Sequence, residues 1–373
     1  MRSHLESIPI ELKTLSPLHI GCGKSITKKE YIYLENGQRV LIPDINKLFN
    51  YLVKNNFVKD FENYMLGAQQ DLYKWLTGLN ITKEEIESIK SYEVNASDAI
   101  IPQKPLKEIN LIIKDNYKKP YIPGSSLKGY IKTAMLSKFI SEDKKFAQYM
   151  FTKLKRKVEN RNHNFKDEER EMDSYFLNKI STGEIKGKNS SVNSLMKGIQ
   201  ISDSEPIEVE NVILCAKIDY KNDKTKNTIN TLRECIKPHT KIRHVLTVDK
   251  NIFKNCGIDI EFIKESIKNF YNIQKTYYKN KFLIDSDTFK DYSDEEYEIF
   301  LGGGAGYHSK TLSYSLGGDD ALNFVSMVMH KKFSKHGHKK DVDLGVSPHT
   351  LKCTKYNNKH YIMGRCSISF ANM

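Results

Sequence analysis

The chain lacks several features that would narrow its class at once. Its six cysteines are scattered and none forms a Cys-x-x-Cys pair, so neither a zinc site nor a disulfide framework is indicated. No segment approaches about 18 uninterrupted apolar residues, and residues 1–6 lead into no apolar leader. We therefore expect a cytoplasmic protein that binds no metal or other cofactor and does not associate with a membrane.

Positive charge is what the chain has in excess. Lysine and arginine total 59 against 46 acidic residues, which gives a formal net charge of +13. With 10% aromatic residues, this balance favours a polyanionic partner such as nucleic acid. A lysine-rich surface that only faces solvent would give the same count.

The hydrophobic pattern mixes strands and helices in both halves without regular alternation, which is typical of the α+β class. Strands are predicted at 8–15, 31–34, 39–42, 109–114, 199–202, 209–218, 241–248, 299–301, 351–354 and 360–370, and helices at 44–92, after Gly124, and at 144–188, 258–279 and 321–333. We divide the chain into residues 1–195, with a helical insertion at about 44–95, and residues 196–373, which contain a glycine-rich loop.

Two glycine-centred loops, each beside a lysine, are the sharpest local signals. One is PGSSLKG at 123–129 and the other is GGGAG at 302–306, followed by YHSK at 307–310. Glycine lets backbone N–H groups approach a phosphate closely, and the helix predicted after Gly124, capped by Ser125 or Ser126, would favour an anion. The alternative is a capped helix whose lysine faces water. A Walker A loop that includes Gly23 and Lys24 would need glycine at position 18, which is Leu18. A dinucleotide fingerprint through Gly302 and Gly304 would need glycine at position 307, which is Tyr307, so neither motif is present.

Two histidines and two aspartates are candidates for chemistry. His19 or His308 could serve as general acid or base in metal-independent RNA cleavage, because imidazole titrates near neutral pH; we favour a simple hydrogen bond to phosphate or backbone. Asp319 and Asp320 could hold metal ions as in a polymerase palm. The helical spacing after Asp320 instead favours a helix cap and a first-turn acid.

Taken together, six segments resemble the RAMP superfamily of CRISPR proteins. They are TLSPLHIGCG at 14–23, IPGSSLKG at 122–129, QISDS at 200–204, the glycine loop at 302–306, and PHTLK at 348–352 with GRCSI at 364–368. Their order and the chain length are most similar to the type III-A (Csm) subunit at the head of the effector complex, which caps the 3′ end of the CRISPR RNA.

The resemblance implies two ferredoxin-like (RRM-like) domains with helical insertions and a non-catalytic subunit. Such a subunit would bind CRISPR RNA, contact the neighbouring RAMP backbone subunit and other Csm subunits, and support 3′-end maturation by recruited nucleases. The alternative is a RAMP endoribonuclease that cuts CRISPR transcripts. The expected RNA-binding residues are His19, Lys24, Gly124, Ser125, Ser126, Lys128, Lys132, Arg243, Gly302, Gly303, Gly304, Gly306, His308 and Lys310.

Overall fold

The computed structural model describes residues 4–35, 38–96, 98–100, 105, 107–180, 191–222, 224–282, 284, 289 and 297–371. The strands are β1 (Leu5–Thr14), β2 (Gly21–Ile26), β3 (Ile32–Leu34), β4 (Arg39–Pro43), β5 (Lys90–Asn95), β6 (Ile109–Ile112), β7 (Ile199–Ile201), β8 (Val212–Lys221), β9 (Lys226–Ile236), β10 (Lys241–Asp249), β11 (Glu298–Phe300), β12 (Thr350–Tyr356), β13 (Lys359–Ile362) and β14 (Arg365–Phe370). The helices are α1 (Ile45–Lys54), α2 (Val58–Leu66), α3 (Leu72–Gly78), α4 (Lys83–Ser88), α5 (Gly124–Glu142), α6 (Lys144–Glu159), α7 (Lys166–Phe176), α8 (Lys250–Cys256), α9 (Ile260–Tyr277), α10 (Ser313–Gly317) and α11 (Ala321–Lys332). Among these, no helix is both long and apolar enough to span a bilayer.

The first sheet has the strand order β11-β14-β1-β10-β7. Its central strand β1 alternates as predicted, and Ile8, Ile10 and Leu12 are buried. Across this inner face lie α5 and α9, whose buried residues belong to the same apolar core. The period-two pattern of the strands and the long helices therefore account for the largest core of the protein.

The second sheet has the order β2-β6-β9-β8-β5-β4-β3, with β12 paired to β8 and β13 to β12. Strand β2 forms one edge, and its residues are mostly exposed. An edge strand leaves backbone N–H and C=O groups unpaired on its outer side. This edge borders the candidate site described below.

The predicted helical insertion is confirmed as α1 to α4, which pack against β3 and β4. Asp44 caps α1 by accepting hydrogen bonds from Asn46 N and Lys47 N. Thr82 and Glu85 form the expected capping box at the start of α4. Local capping chemistry was thus sufficient to locate the starts of α1 and α4, whereas residues 90–92, which were predicted to be helical, belong to strand β5.

Strand β9 was missed by the sequence analysis, although it lies at the centre of the second sheet between β6 and β8. Each sheet also joins strands from both sides of residue 195, and the division into residues 1–195 and 196–373 stays a prediction. Residues 181–188 of the helical segment predicted at 144–188 lie outside the described residues.

Candidate nucleic-acid interface

A cleft of about 760 Å³ opens where the β2 edge of the second sheet meets the first turns of α5 and the 302–310 loop. It brings together seven of the residues predicted from sequence, which are His19, Lys24, Ser125, Ser126, Gly302, Gly303 and Lys310. We call it the basic cleft, because Lys24, Arg233 and Lys310 line it and the described lining contains no carboxylate.

Arg233 is a cleft residue that the sequence analysis missed, because it lies on the missed strand β9. Its Nη1 is buried and has no hydrogen-bond partner in the described part of the chain. A buried guanidinium nitrogen without an acceptor is unfavourable unless a ligand supplies one. The three β-branched residues among positions 228–231 were the signal that could have revealed the strand.

Positive charge continues beyond Arg233 along the second sheet. Burial, and then the positive charges of Lys352 and Arg233, lower the pKa of Lys217 on β8. Asp219 partly offsets this cluster by pairing with Lys352 at 2.9 Å. Lys217 and Lys352 therefore add positive charge near Arg233 on the second sheet, which Asp219 partly offsets.

The Gly302–Gly304 segment packs closely against both His19 and Arg233. Gly303 N donates to His19 O at 2.7 Å, and a Cβ on Gly302 would lie 2.2 Å from the same oxygen. A Cβ on Gly304 would lie 2.3 Å from Arg233 Nη1, and the φ angle of Gly304 is +89°. Close approach and positive φ thus explain these glycines, while the amide of Gly303 is used inside the protein.

His19 lies at the floor of the basic cleft and is 5% exposed. Its Nδ1 is 2.7 Å from the carbonyl oxygen of Glu234, which can only accept, so the neutral ring carries its proton on Nδ1. Burial lowers the pKa of His19 although this hydrogen bond opposes the shift. A neutral imidazole in the cleft fits a hydrogen-bonding role.

Glu234 anchors the strand beneath His19. Its buried carboxylate accepts from Tyr92 Oη at 2.7 Å and from Ile112 N at 3.0 Å, and it pairs with Lys114 Nζ. These contacts tie β5, β6 and β9 together directly below the basic cleft. The side chains above them are therefore held on a rigid support.

His308 does not face the cleft. It is 2% exposed, stacks on Tyr278 with ring centroids 4.3 Å apart and meets the edge of Phe300 at 4.7 Å. Burial lowers the pKa of His308 to about 3, so the ring is neutral at pH 7 and enclosed by aromatic side chains. This arrangement argues against a direct contact of His308 with RNA, both for the hydrogen bond to phosphate that we favoured and for the alternative of proton transfer.

The start of α5 differs from the predicted anion site. The helix begins at Gly124 after Pro123, and neither Ser125 nor Ser126 caps it through its side chain. Instead the Asp203 carboxylate accepts the Gly124 N–H at 2.8 Å. A carboxylate at a helix N-terminus is favourable, so a protein side chain takes the place that we expected a phosphate to occupy. Ser126 N also has a partner, Pro123 O at 2.9 Å, whereas both serines still line the cleft.

The other predicted residues lie outside the cleft lining. Lys132 pairs with Asp173 at 2.6 Å, and Arg243 is on the exposed face of β10. Lys128 is half-buried, and burial lowers its pKa. Gly306 lies at the far side of the loop beside His308. RNA binding by these residues stays a prediction.

The acidic pair predicted to begin a helix does precede α11. Neither Asp319 nor Asp320 caps the helix through its side chain, and Asp320 pairs with Lys155 at 3.2 Å. The expectation of a helix cap was thus right about position and wrong about the capping bond.

Among the described residues, His338, Asp341 and His349 form a compact group with metal-ligand chemistry. The Nδ1 atoms of His338 and His349 lie 2.9 and 2.5 Å from the Asp341 carboxylate, and Ser347 Oγ donates to it at 2.6 Å. Two ligands of one tetrahedral zinc ion would be roughly 3.3 Å apart. The observed distances are those of hydrogen bonds that hold the loop before β12.

Residues 11–306 match the protein family described as the RAMP superfamily. The chain is 30% identical over 321 residues to CRISPR system Cms protein Csm5 of Streptococcus thermophilus. The aligned region covers 84% of this chain and 82% of that protein. It is 28% identical over 393 residues to the protein of the same name from Mycobacterium tuberculosis strain CDC 1551, and this alignment covers 99% of each protein.

Two solved structures share the fold. One is a chain of a cryo-EM Csm–crRNA–target RNA ternary complex of a type III-A CRISPR–Cas system, with a TM-score of 0.71, 19% identity and coverage of 97% of this chain and 100% of that chain. The other is the crystal structure of T. onnurineus Csm5, with a TM-score of 0.62, 19% identity and coverage of 96% and 99%. These matches confirm an α+β fold of two ferredoxin-like domains with helical insertions.

Proposed function

This chain belongs to the RAMP superfamily and is a subunit of the type III-A (Csm) kind, and on that premise we propose that it holds CRISPR RNA in the basic cleft without cutting it. The observation that carries the proposal is the unbalanced charge of the cleft. Lys24, Arg233 and Lys310 line it, and no described residue of its lining is acidic. A strand of phosphates supplies the missing negative charge.

The side chains of the cleft suit a sugar-phosphate backbone. Lys24 and Lys310 are exposed at its rim and can follow successive phosphates as point charges, whereas the Arg233 guanidinium can form a paired contact. Ser125, Ser126 and the His19 ring add neutral hydrogen-bonding groups. Contacts of this kind do not read base identity, so we expect salt-sensitive binding with little sequence preference.

We further propose that the subunit caps the effector complex near the 3′ end of the guide. There it would contact the neighbouring RAMP backbone subunit and other Csm subunits in the cytoplasm, and recruited nucleases would trim the exposed RNA. The support is the relatives named Csm5 and the likeness to a chain of a Csm–crRNA–target RNA complex.

The test is reconstitution of a type III-A complex with this subunit present, omitted or substituted. We expect omission to leave guide 3′ ends untrimmed and the assembly shortened. The triple variant Lys24→Ala/Arg233→Ala/Lys310→Ala should fail to restore either property, while Lys132→Ala should restore both, because Lys132 is paired with Asp173. Normal guide ends in the complex without the subunit would refute the capping role.

The rival function is metal-independent cleavage of CRISPR transcripts with His19 as general base or acid. Its support is the position of His19 in the basic cleft. Incubation of the purified chain with repeat RNA and EDTA separates the two functions. Specific cleavage that disappears in His19→Ala would favour the enzyme, whereas intact RNA that remains bound would favour the holding subunit.

A further inference from the structure

A second cavity of about 750 Å³ adjoins the basic cleft and is separated from it by the 306–310 turn. Lys310 lines both spaces. A strand held along the cleft would therefore pass the mouth of this side cavity at Lys310. Nothing in the proposed holding role uses the side cavity.

The floor of the side cavity is apolar. It is formed where α6, α7, α10 and α11 meet, and Leu154, Phe165, Met172, Leu316, Phe324 and Val328 line it. Phe324 is 4% exposed and packs near Phe165 at a centroid distance of 6.2 Å. Apolar and aromatic walls of this size are typical of pockets that accept a planar ligand.

The opposite end of the side cavity is polar. Tyr307 Oη lies 3.0 Å from Ser313 Oγ, and Thr311 Oγ1 donates to the same oxygen at 2.8 Å. On another wall, both ring nitrogens of His163 lack a partner among the described residues. A neutral imidazole offers one donor and one acceptor, which matches the edge of a nucleobase.

The rim of the side cavity is positive. Lys310, Lys331 and Lys332 line it together with Glu168 and Glu169. The carboxylate of Glu168 is neutralised by Lys157 at 2.6 Å. The phosphates on either side of an inserted base would therefore meet lysine side chains.

We propose that the side cavity receives one nucleobase, turned out of the RNA that the basic cleft holds, which rests on the proposed holding function. The base would lie against the apolar floor near Phe165 and Phe324, with its polar edge toward the hydroxyl groups and His163. Because stacking and mixed polar groups do not select one base, the side cavity should accept any of the four bases. The cavity would fix the register of the strand at one nucleotide.

The test uses the full-length chain and a fluorescein-labelled adenosine oligonucleotide of about 12 nucleotides, with single abasic sites introduced along it. We expect the abasic site at one position to weaken binding on the order of 10-fold, which is the usual loss of one stacked base. Val328→Trp, at the half-exposed edge of the cavity, should weaken binding of intact RNA by a similar factor and abolish the abasic effect. Met327→Trp on the exposed side of α11 is the matched control and should leave both unchanged. Thermal denaturation should show that both variants fold.

The outcomes distinguish the base pocket in the side cavity from the RNA-holding function of the basic cleft. If the wild-type chain binds RNA in a salt-dependent manner but no abasic site matters, or if Val328→Trp keeps the abasic effect, the base pocket is refuted and RNA holding stands. If Val328→Trp prevents the subunit from joining the reconstituted complex while its RNA binding is normal, the cavity binds a protein side chain and the inference is wrong. If the wild-type chain binds no RNA, the holding function itself fails.

Discussion

The two glycine loops look alike in sequence and differ in what the glycines do. In the loop at 123–129 the backbone of Ile201 packs against Gly124, and a Cβ on Gly124 would lie 2.1 Å from Ile201 O. The Gly124 N–H donates to the Asp203 carboxylate. At 302–306 the neighbour of Gly304 is the guanidinium group of Arg233 in the cleft. The first loop serves internal packing, and the second brings backbone close to a cationic side chain that is available to a ligand.

This difference shows that a glycine beside a lysine is not by itself a phosphate site. The carboxylate of Asp203 satisfies the start of α5, and the Lys132 charge is paired with Asp173. In the second loop Lys310 has no ion-pair partner among the described residues and lines the cleft. What distinguishes the two cases is the position of the loop lysine, because Lys310 is exposed and lines the cleft whereas Lys128 is half-buried and lies outside its lining.

The largest effect should come from Gly124→Ala. Because the new methyl group would meet a backbone oxygen, the free energy of unfolding should fall by about 3 kcal/mol, at the upper end for overpacking. Urea denaturation measures this. The control is Gly129→Ala in the same helix, where nothing lies within 4 Å of the added Cβ. It should be stabilising by about 0.5 kcal/mol. Equal stability of the two variants would contradict the packing role assigned to the first loop.

Gly304→Ala should act through Arg233. The positive φ angle strains alanine by roughly 1–2 kcal/mol, and the methyl group displaces the guanidinium. We expect RNA affinity to fall on the order of 10-fold in Gly304→Ala and in Arg233→Ala. Fluorescence anisotropy of labelled RNA measures both.

The double variant Gly304→Ala/Arg233→Ala decides the mechanism. It should bind RNA no more weakly than Arg233→Ala alone, because the contact that Gly304 protects is then already lost. Additive losses of affinity would mean that Gly304 acts on RNA independently of Arg233.

Local signals in the sequence were enough to predict much of the framework. The alternation in β1, the Asp44 cap and the Thr82–Glu85 capping box each depend on neighbouring residues, and each is observed. The hydrophobic pattern indicated an α+β protein in two parts, and the family resemblance supplied the ferredoxin-like character of the fold, which composition and periodicity do not specify.

The candidate site was less predictable, because long-range pairing decides it. Arg233 enters the cleft only since β9 lies between β6 and β8, and the polar sequence of this strand masked it. The Asp203 contact to Gly124 spans 79 positions, and the aromatic enclosure of His308 joins Tyr278 and Phe300. No local pattern reports such contacts.

His308→Phe should change how stability depends on pH. Burial lowers the pKa of His308 to about 3 in the folded chain, against about 6.5 when unfolded. The unfolded state therefore binds the proton first as the pH falls, and stability is lost from about pH 6.5 down toward pH 3. Between pH 7 and pH 5 the loss from this ring should be about 2 kcal/mol.

Phenylalanine keeps the stack on Tyr278 and cannot titrate, so His308→Phe should flatten this part of the profile. Chemical denaturation at both pH values measures the slope. His336→Phe is the control, because His336 is exposed and water solvates its ring in both states. An unchanged slope in His308→Phe would mean that the ring can reach solvent, and the second loop would then be less rigid than its packing indicates.

The smallest effects should separate Lys310 of the second loop from Lys128 and Lys132 of α5. Lys310→Ala removes one charge from the cleft lining and should weaken RNA binding about 3- to 10-fold, while the slope of log affinity against log salt concentration should fall by roughly 0.7. Lys128→Ala should have a smaller effect, since Lys128 is half-buried and outside the cleft lining. Lys132→Ala should have almost none, because Asp173 already neutralises that charge.

Anisotropy titrations at several salt concentrations measure affinity and slope together. If Lys128→Ala and Lys132→Ala reduced the slope as much as Lys310→Ala, the RNA would follow α5 rather than the 302–310 loop, and the contrast between the two loops would be reversed.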